Sequence, residues 1–430
     1  MKRLFALVIS LLGITGLNAQ EFSEYFQNKT LRIDYIFAGN SSNQFVALDE
    51  LSQSDGWAGR RVNMAETPVR GNGDIKVIDP ASGKIIYCNS FSSLFQEWLT
   101  TDEAQKLTKS FEATFLVPFP KQNIIVETTM LDNEGKVQAK LSHEVNPQDK
   151  LIRQLPSEAA TPHKFLLKSG SAEEKIDIAI IAEGYTAAEM DIFLKDAQTA
   201  CDEIFRYEPF ATMKERFNVV AVMSPSEQSN VSVPQDGVWK KSAVNSNFMT
   251  FYSPRYLTTN SVHMIHDCLT GIAYEHLIIL ANTDTYGGGG IYNSYTLTTA
   301  HNPLFKPVVV HEFGHSFGAL ADEYFYDEPD HTENFYKLDY EPWEQNISSL
   351  VDFNSKWADM LDKRTKIPTE PTEKRKKNYT VGVYEGGGYM TKGMYRPAVV
   401  CRMRDNVATQ FCPVCQRAIE RIIRYNTEQK

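Results

Sequence analysis

From residue 22 to about 150 the chain alternates apolar and polar positions in short runs. Leu31-Arg32-Ile33-Asp34-Tyr35-Ile36-Phe37 has the period of two that sets one face of a strand against a core. Residues 74–78 and 84–88 flank Asp79-Pro80-Ala81-Ser82-Gly83, which has the chemistry of a hairpin turn. Two further runs, 111–117 and 124–130, are separated by Pro118 and Pro120. Asp132-Asn133-Glu134-Gly135 then turns the chain into 137–141. Short strands with turn residues between them predict an antiparallel β-sandwich over residues 20–150. Residues 151–174 carry prolines and charges without a period and read as a linker.

The pattern changes at residue 176. Ile176-Asp177-Ile178-Ala179-Ile180-Ile181 is the mostly apolar run of a strand covered on both faces. Thr186 and Glu189 have the spacing of a capping box. The helix they start sets Met190, Phe193, Leu194, Ala197, Cys201, Ile204 and Phe205 on one face. Residues 217–223 and 276–281 are two more strands. Strand, helix and strand in succession predict an α/β domain over 175–430. A chain of 430 residues can fill two cores, so this domain is expected to fold alone, across a modest and fairly polar contact.

One predicted helix carries chemistry. In His311-Glu312-Phe313-Gly314-His315 the two histidines stand four apart, so on a helix both imidazoles face one point. Glu312 stands beside them, placed to reach a water rather than to be a ligand. This is the H-E-x-x-H arrangement, in which zinc acidifies a water and the glutamate takes its proton. Phe313 and Phe317 fall away from that face and would pack inward. Gly318 suits a left-handed helix end, and a chain reversed there can return a third ligand, for which Asp322 is the first candidate.

The flanks of this helix leave two choices open. Gly287-Gly288-Gly289-Gly290 and the residues after it read as an exposed edge strand that pairs with an extended substrate, or as a flexible hairpin that does not touch one. Residues 327–385 read as a polar insertion with some helix. There Asp327, Glu328 and Asp330 offer oxygens of the kind calcium takes, although a solvated acidic loop is the preferred reading.

The N-terminus sets the compartment. Met1-Lys2-Arg3, a run to Leu17 with almost no polar residue, and Leu17-Asn18-Ala19 form a signal peptide over 1–19. The mature chain is therefore expected to be exported (periplasm, cell surface or secreted), with no membrane span. Loss of Lys2 and Arg3 moves the formal charge from −10 to −12, which argues against nucleic acid as a partner. Of six cysteines, Cys88, Cys201 and Cys268 are scattered and read as buried thiols. Cys401, Cys412 and Cys415 cluster, and outside the cytoplasm a disulfide among them is plausible. The alternative is that Cys412-Pro413-Val414-Cys415 forms half of a structural zinc site.

Several of these residues resemble a known family together. They are His311-Glu312-Phe313-Gly314-His315-Ser316-Phe317-Gly318, Asp322-Glu323-Tyr324, Cys401-Arg402-Met403-Arg404 and the Cys412–Cys415 pair. The set resembles the bacterial IgA-cleaving metallopeptidase family, itself similar to the metzincins, over residues 170 to 425. The resemblance implies a metzincin-like zinc peptidase domain. The usual third ligand of a metzincin stands six residues after the second histidine, here Ala321. The family's variant motif implies Asp322 instead, with Glu323 the runner-up. It also implies that Met403 forms the methionine turn, an apolar floor below the ion. Tyr395, a phenol near that turn, is the candidate oxyanion stabiliser.

These residues lead to the expectation of a zinc endopeptidase acting on a protein or peptide substrate. One zinc would be held by His311, His315 and Asp322, with Glu312 as general base. Two other readings compete: a zinc-stabilised adhesion or glycan-binding protein with an inactive site, and a cell-wall peptide amidase. An intact Glu312 argues against the first.

Overall fold

The computed structural model describes residues 22–326 and 335–429. The expected signal peptide lies outside them, as do Asp327, Glu328 and Asp330 of the calcium reading. A one-turn helix, α1 (Phe22–Tyr25), leads into β1 (Phe26–Gly39), β2 (Gln44–Asp55), β3 (Gly73–Ile78) and β4 (Ile85–Phe91). Then come α2 (Leu94–Trp98), β5 (Lys109–Pro120), β6 (Ile124–Leu131), β7 (Val137–Val145) and β8 (Arg153–Gln154). They form two four-stranded sheets, ordered β5-β1-β2-β8 and β4-β3-β6-β7. All neighbours are antiparallel except that β8 runs parallel to β2.

The period of two explains this half. Leu31, Ile33, Tyr35 and Phe37 of β1 share one apolar cluster with Ile75 and Val77 of β3. Between β3 and β4 the Asp79 carboxylate accepts bonds from the amides of Ala81 and Ser82, as the turn residues predict. Pro118 does not end a strand, as its position suggests; β5 runs through it and ends at Pro120. It lies at a sheet edge, where a missing N–H costs no ladder bond.

The second half begins with β9 (His163–Lys168), β10 (Ile176–Glu183), α3 (Met190–Ile204), β11 (Phe217–Val222) and α4 (Val262–Cys268). It continues with β12 (His276–Ala281), β13 (Gly288–Ile291), β14 (Tyr295–Thr299) and α5 (Phe305–Ser316). Six strands make a mixed sheet ordered β13-β14-β12-β10-β11-β9. The inner four are parallel, and β9 and β13 are antiparallel edges. Residues 151–174 thus lend a strand to each half, β8 to the first and β9 to the second. The chain closes with α6 (Glu373–Lys377), the hairpin β15 (Tyr384–Gly387) and β16 (Met390–Arg396), and α7 (Pro413–Thr427).

Ile176, Ile178 and Ile180 share a core with Phe193 of α3, Val309 and Phe313 of α5, and Ile419 of α7. Ala179 and Ile181, on the opposite face of β10, belong to the cluster that contains the N-terminal sheets. The expected modest polar contact is therefore corrected: the apolar core is continuous between the halves. Arg32, 4 % exposed, reaches across to Asp267 at 2.6 Å and to the carbonyl of His263 at 3.1 Å. At the other end of the chain, the Tyr425 hydroxyl donates to the carbonyl of Asn63 at 2.9 Å. No helix among the described residues is long and apolar enough to cross a membrane.

Candidate active site

Val309, Val310, Phe313 and Phe317 are fully buried, and the turn they impose on α5 leaves His311, Glu312 and His315 on another face. The Nε2 atoms of His311 and His315 lie 3.1 Å apart. Each ring's other nitrogen is already engaged. Nδ1 of His311 faces the Arg402 carbonyl at 3.0 Å, and Nδ1 of His315 faces the Leu320 carbonyl at 2.6 Å. A carbonyl only accepts, so each Nδ1 carries a proton, and in the neutral ring each Nε2 presents a lone pair. Asp322 completes the set: its Oδ1 is 2.9 Å from His311 Nε2 and 3.3 Å from His315 Nε2. With both rings neutral, that oxygen is buried without a hydrogen-bond donor. The three donor atoms all lie within 4.8 Å of one another. Two lone pairs and a carboxylate oxygen that converge in this way are satisfied by a cation, and two imidazoles with one carboxylate suit zinc. The residues fit the metal that the sequence implies.

The chain after α5 accounts for this convergence. Gly318 does not supply the left-handed residue; that is Ala319, at φ +55°. A Cβ on Gly318 would instead lie 2.6 Å from the carbonyl oxygen of Gly314. The reversal carries the Leu320 carbonyl to His315 and Asp322 to both imidazoles. Glu323 points elsewhere: its Oε1 is 3.0 Å from Nδ2 of Asn346 and 3.1 Å from Sγ of Cys415. Successive residues of an extended segment face opposite ways, which separates these two acids. Met403 lies beneath the helix, where a Cβ on Gly314 would meet its Sδ at 2.5 Å. The Met403 carbonyl also accepts from the Glu323 amide at 2.8 Å.

Strand β13 lies against the same helix. A Cβ on Gly290 would fall 2.2 Å from the Glu312 carbonyl oxygen and 2.9 Å from Cβ of His315. One on Gly288 would fall 3.1 Å from Oε1 of Glu312. The glycine run thus permits close approach to the reactive face, and β13 ends the six-stranded sheet. The Gly288 amide bonds outward to the Arg255 carbonyl at 3.3 Å, so Gly290, two residues on, also turns its peptide groups away from β14. Burial pushes the Glu312 carboxyl above its ordinary range, as a group poised to take a proton requires.

Tyr389 is not evident in the sequence beyond the three glycines before it. Its hydroxyl donates to Oδ2 of Asp322, and its ring lies 5.3 Å from that of Tyr324. Tyr324 in turn stacks 6.5 Å from the His311 ring. Tyr395 lies on β16, its amide bonded to the Ser348 carbonyl at 2.9 Å. It takes no part in the hydrogen bonds and ring contacts that orient His311, His315 and Asp322 among the described residues.

The chain matches the family model described as IgA Peptidase M64 over residues 165–379 and 372–423. It matches the one described as Peptidase M64 N-terminus over residues 21–142. No curated protein matches it. More than half of the chain is covered, and the matches define a metallopeptidase with an N-terminal domain followed by a mixed, sheet-rich peptidase domain. The chain belongs to the IgA Peptidase M64 family.

Proposed function

We propose that the protein is an exported zinc endopeptidase in which His311, His315 and Asp322 hold the metal and Glu312 is the general base. The observation that carries this is the buried Asp322 Oδ1, without a donor, facing two imidazoles whose Nδ1 protons are fixed on carbonyls. Bound there, zinc supplies Lewis-acid polarisation of the scissile carbonyl and of a water. Glu312 takes the proton of the attacking water and passes it to the leaving amine. The outward peptide groups of Gly290 pair with an extended substrate and bring its backbone alongside Glu312. Tyr389 fixes the carboxylate of Asp322 through its second oxygen. Met403 forms the apolar floor of a metzincin-like domain, and the N-terminal sheets form a β-sandwich. The signal peptide over 1–19 sends the chain out of the cytoplasm.

Digestion of an unbiased peptide library with mass-spectrometric readout tests the reading. The wild type is expected to cut internal peptide bonds. Glu312→Gln is expected to lower turnover by roughly 10²- to 10⁴-fold, the usual contribution of a general base, at unchanged metal content. A variant that cuts like the wild type, or that loses its metal, would remove Glu312 from this role.

A further inference from the structure

A second group of potential ligand atoms lies on the other side of the Asp322–Glu323 segment. The Sγ atoms of Cys401, Cys412 and Cys415 and a carboxylate oxygen of Glu323 all lie within 4.8 Å of one another. All four residues are fully buried. The cysteines are free thiols. Sγ of Cys401 and Sγ of Cys415 are 3.7 Å apart, against about 2.05 Å in a disulfide. Sulfurs at tetrahedral angles around a zinc ion, with bonds of about 2.3 Å, stand roughly 3.8 Å apart. The observed separation matches that of two ligands of one ion.

The carboxylate supports the same conclusion independently. Oε1 of Glu323 has Asn346 and Cys415 as neighbours, but Oε2 is buried with no hydrogen-bond partner. An orphaned carboxylate oxygen in a dry interior is costly unless a positive charge faces it. The local backbone is also arranged for thiolates. The Cys412 amide points at Sγ of Cys401 at 3.2 Å, and Cys412 caps α7 with Pro413 at its first position. Cys415 therefore falls in the first turn of α7, on the same side as Cys412.

We propose that Cys401, Cys412, Cys415 and Glu323 bind a second divalent metal ion, a zinc with a structural role. Four protein donors leave no open position for water or substrate, which is the property of a structural rather than a catalytic site. Each thiol that binds releases its proton to solvent. The ion joins three segments distant in sequence: the bend after α5, the loop before Met403, and α7. The first two lie one or two residues from a part of the histidine site. Glu323 follows Asp322; Cys401 precedes Arg402, whose carbonyl orients His311, and Met403, which supports the helix. None of this depends on the peptidase chemistry.

Metal content of the full mature chain, by plasma mass spectrometry after dialysis, separates the two sites. The wild type is expected to hold two zinc ions, and the double variant His311→Ala/His315→Ala one. Cobalt exchanged into that variant should show the intense near-ultraviolet band of a cobalt–thiolate bond, and Cys412→Ser should weaken it. Should Cys412→Ser fail to fold, the histidine variant alone decides. Loss of all zinc and of the cobalt–thiolate band in the histidine variant would overturn the proposal. So would titration of only four of the six thiols in denatured protein without reductant, which would mean a disulfide. A wild type with one zinc, retained by the histidine variant with its thiolate band, would support this site and sink the catalytic one.

Discussion

At the scale of single residues, Tyr389 is the group to change first. Its hydroxyl holds Oδ2 of Asp322, and partners of this kind are worth roughly ten- to a hundredfold in metal affinity. Tyr389→Phe is expected to weaken zinc at the histidine site by that factor in a chelator competition, with an unchanged circular dichroism spectrum. Unchanged affinity would leave Asp322 in no need of its neighbour. A second prediction concerns pH. Burial, and then the charge of Asp177, push the Glu275 carboxyl up to about 8. A carboxyl raised in the folded state binds its proton more tightly there than in the unfolded chain. Its contribution to stability therefore falls as pH rises from the ordinary carboxyl range, about 4, to about 8. Glu275→Gln is expected to flatten the thermal midpoint against pH over that window; an unaltered slope would refute it. Of the site, His311, Glu312 and His315 are legible in the sequence because a helix turns spacing into proximity, and Asp322, beyond the helix end, only through the chain reversal and the resemblance. Tyr389 is not, since it arrives on a hairpin from far along the chain. The role of Glu323 is hidden for a different reason: adjacency in sequence says nothing about which way a side chain faces.

At the scale of elements, β13 and α5 act as a pair. The glycine run is legible as backbone that passes close to something, and the structure shows that this is the helix itself. Gly290→Ala drives a Cβ into a backbone carbonyl that cannot turn aside. Overpacking of this kind costs about 1–3 kcal/mol, and separating strand from helix displaces Glu312 and His315. The expected result is a lower thermal midpoint together with loss of peptide cleavage. Wild-type behaviour in both would mean that the contact is slack. Element ends are the less legible part. Pro118 and Pro120 are breakers by local chemistry, yet their strand lies at an edge where the rule is relaxed. Gly318 has the residue type of a helix terminator but is required for closeness to Gly314, and Ala319 takes the left-handed conformation instead.

At the scale of the whole molecule, the change of period at residue 176 marks two halves but not how they meet. Ala179 and Ile181 read as core whether the far face of β10 is covered by its own helices or by the preceding half. The continuous cluster predicts that a chain starting at Ser171 is insoluble or unfolds without a cooperative transition. Strand β9 would go with the missing half, as would the partners of Asp267 and Tyr256. A soluble truncated chain that binds zinc and cuts short peptides would show that the apolar cover is dispensable.

The long separation between His311 and Arg402 has a consequence in time. A ribosome delivers the N-terminal sheets first and the histidines later. The carbonyl that fixes the His311 ring, the methionine beneath the helix, and helix α7, which fastens onto Asn63, all come later still. Until then the emerging chain has His311 and His315 without the groups that align them. The carbonyl that orients the His311 ring is made 91 residues after the ring it holds, so that contact can form only once the later stretch has left the ribosome.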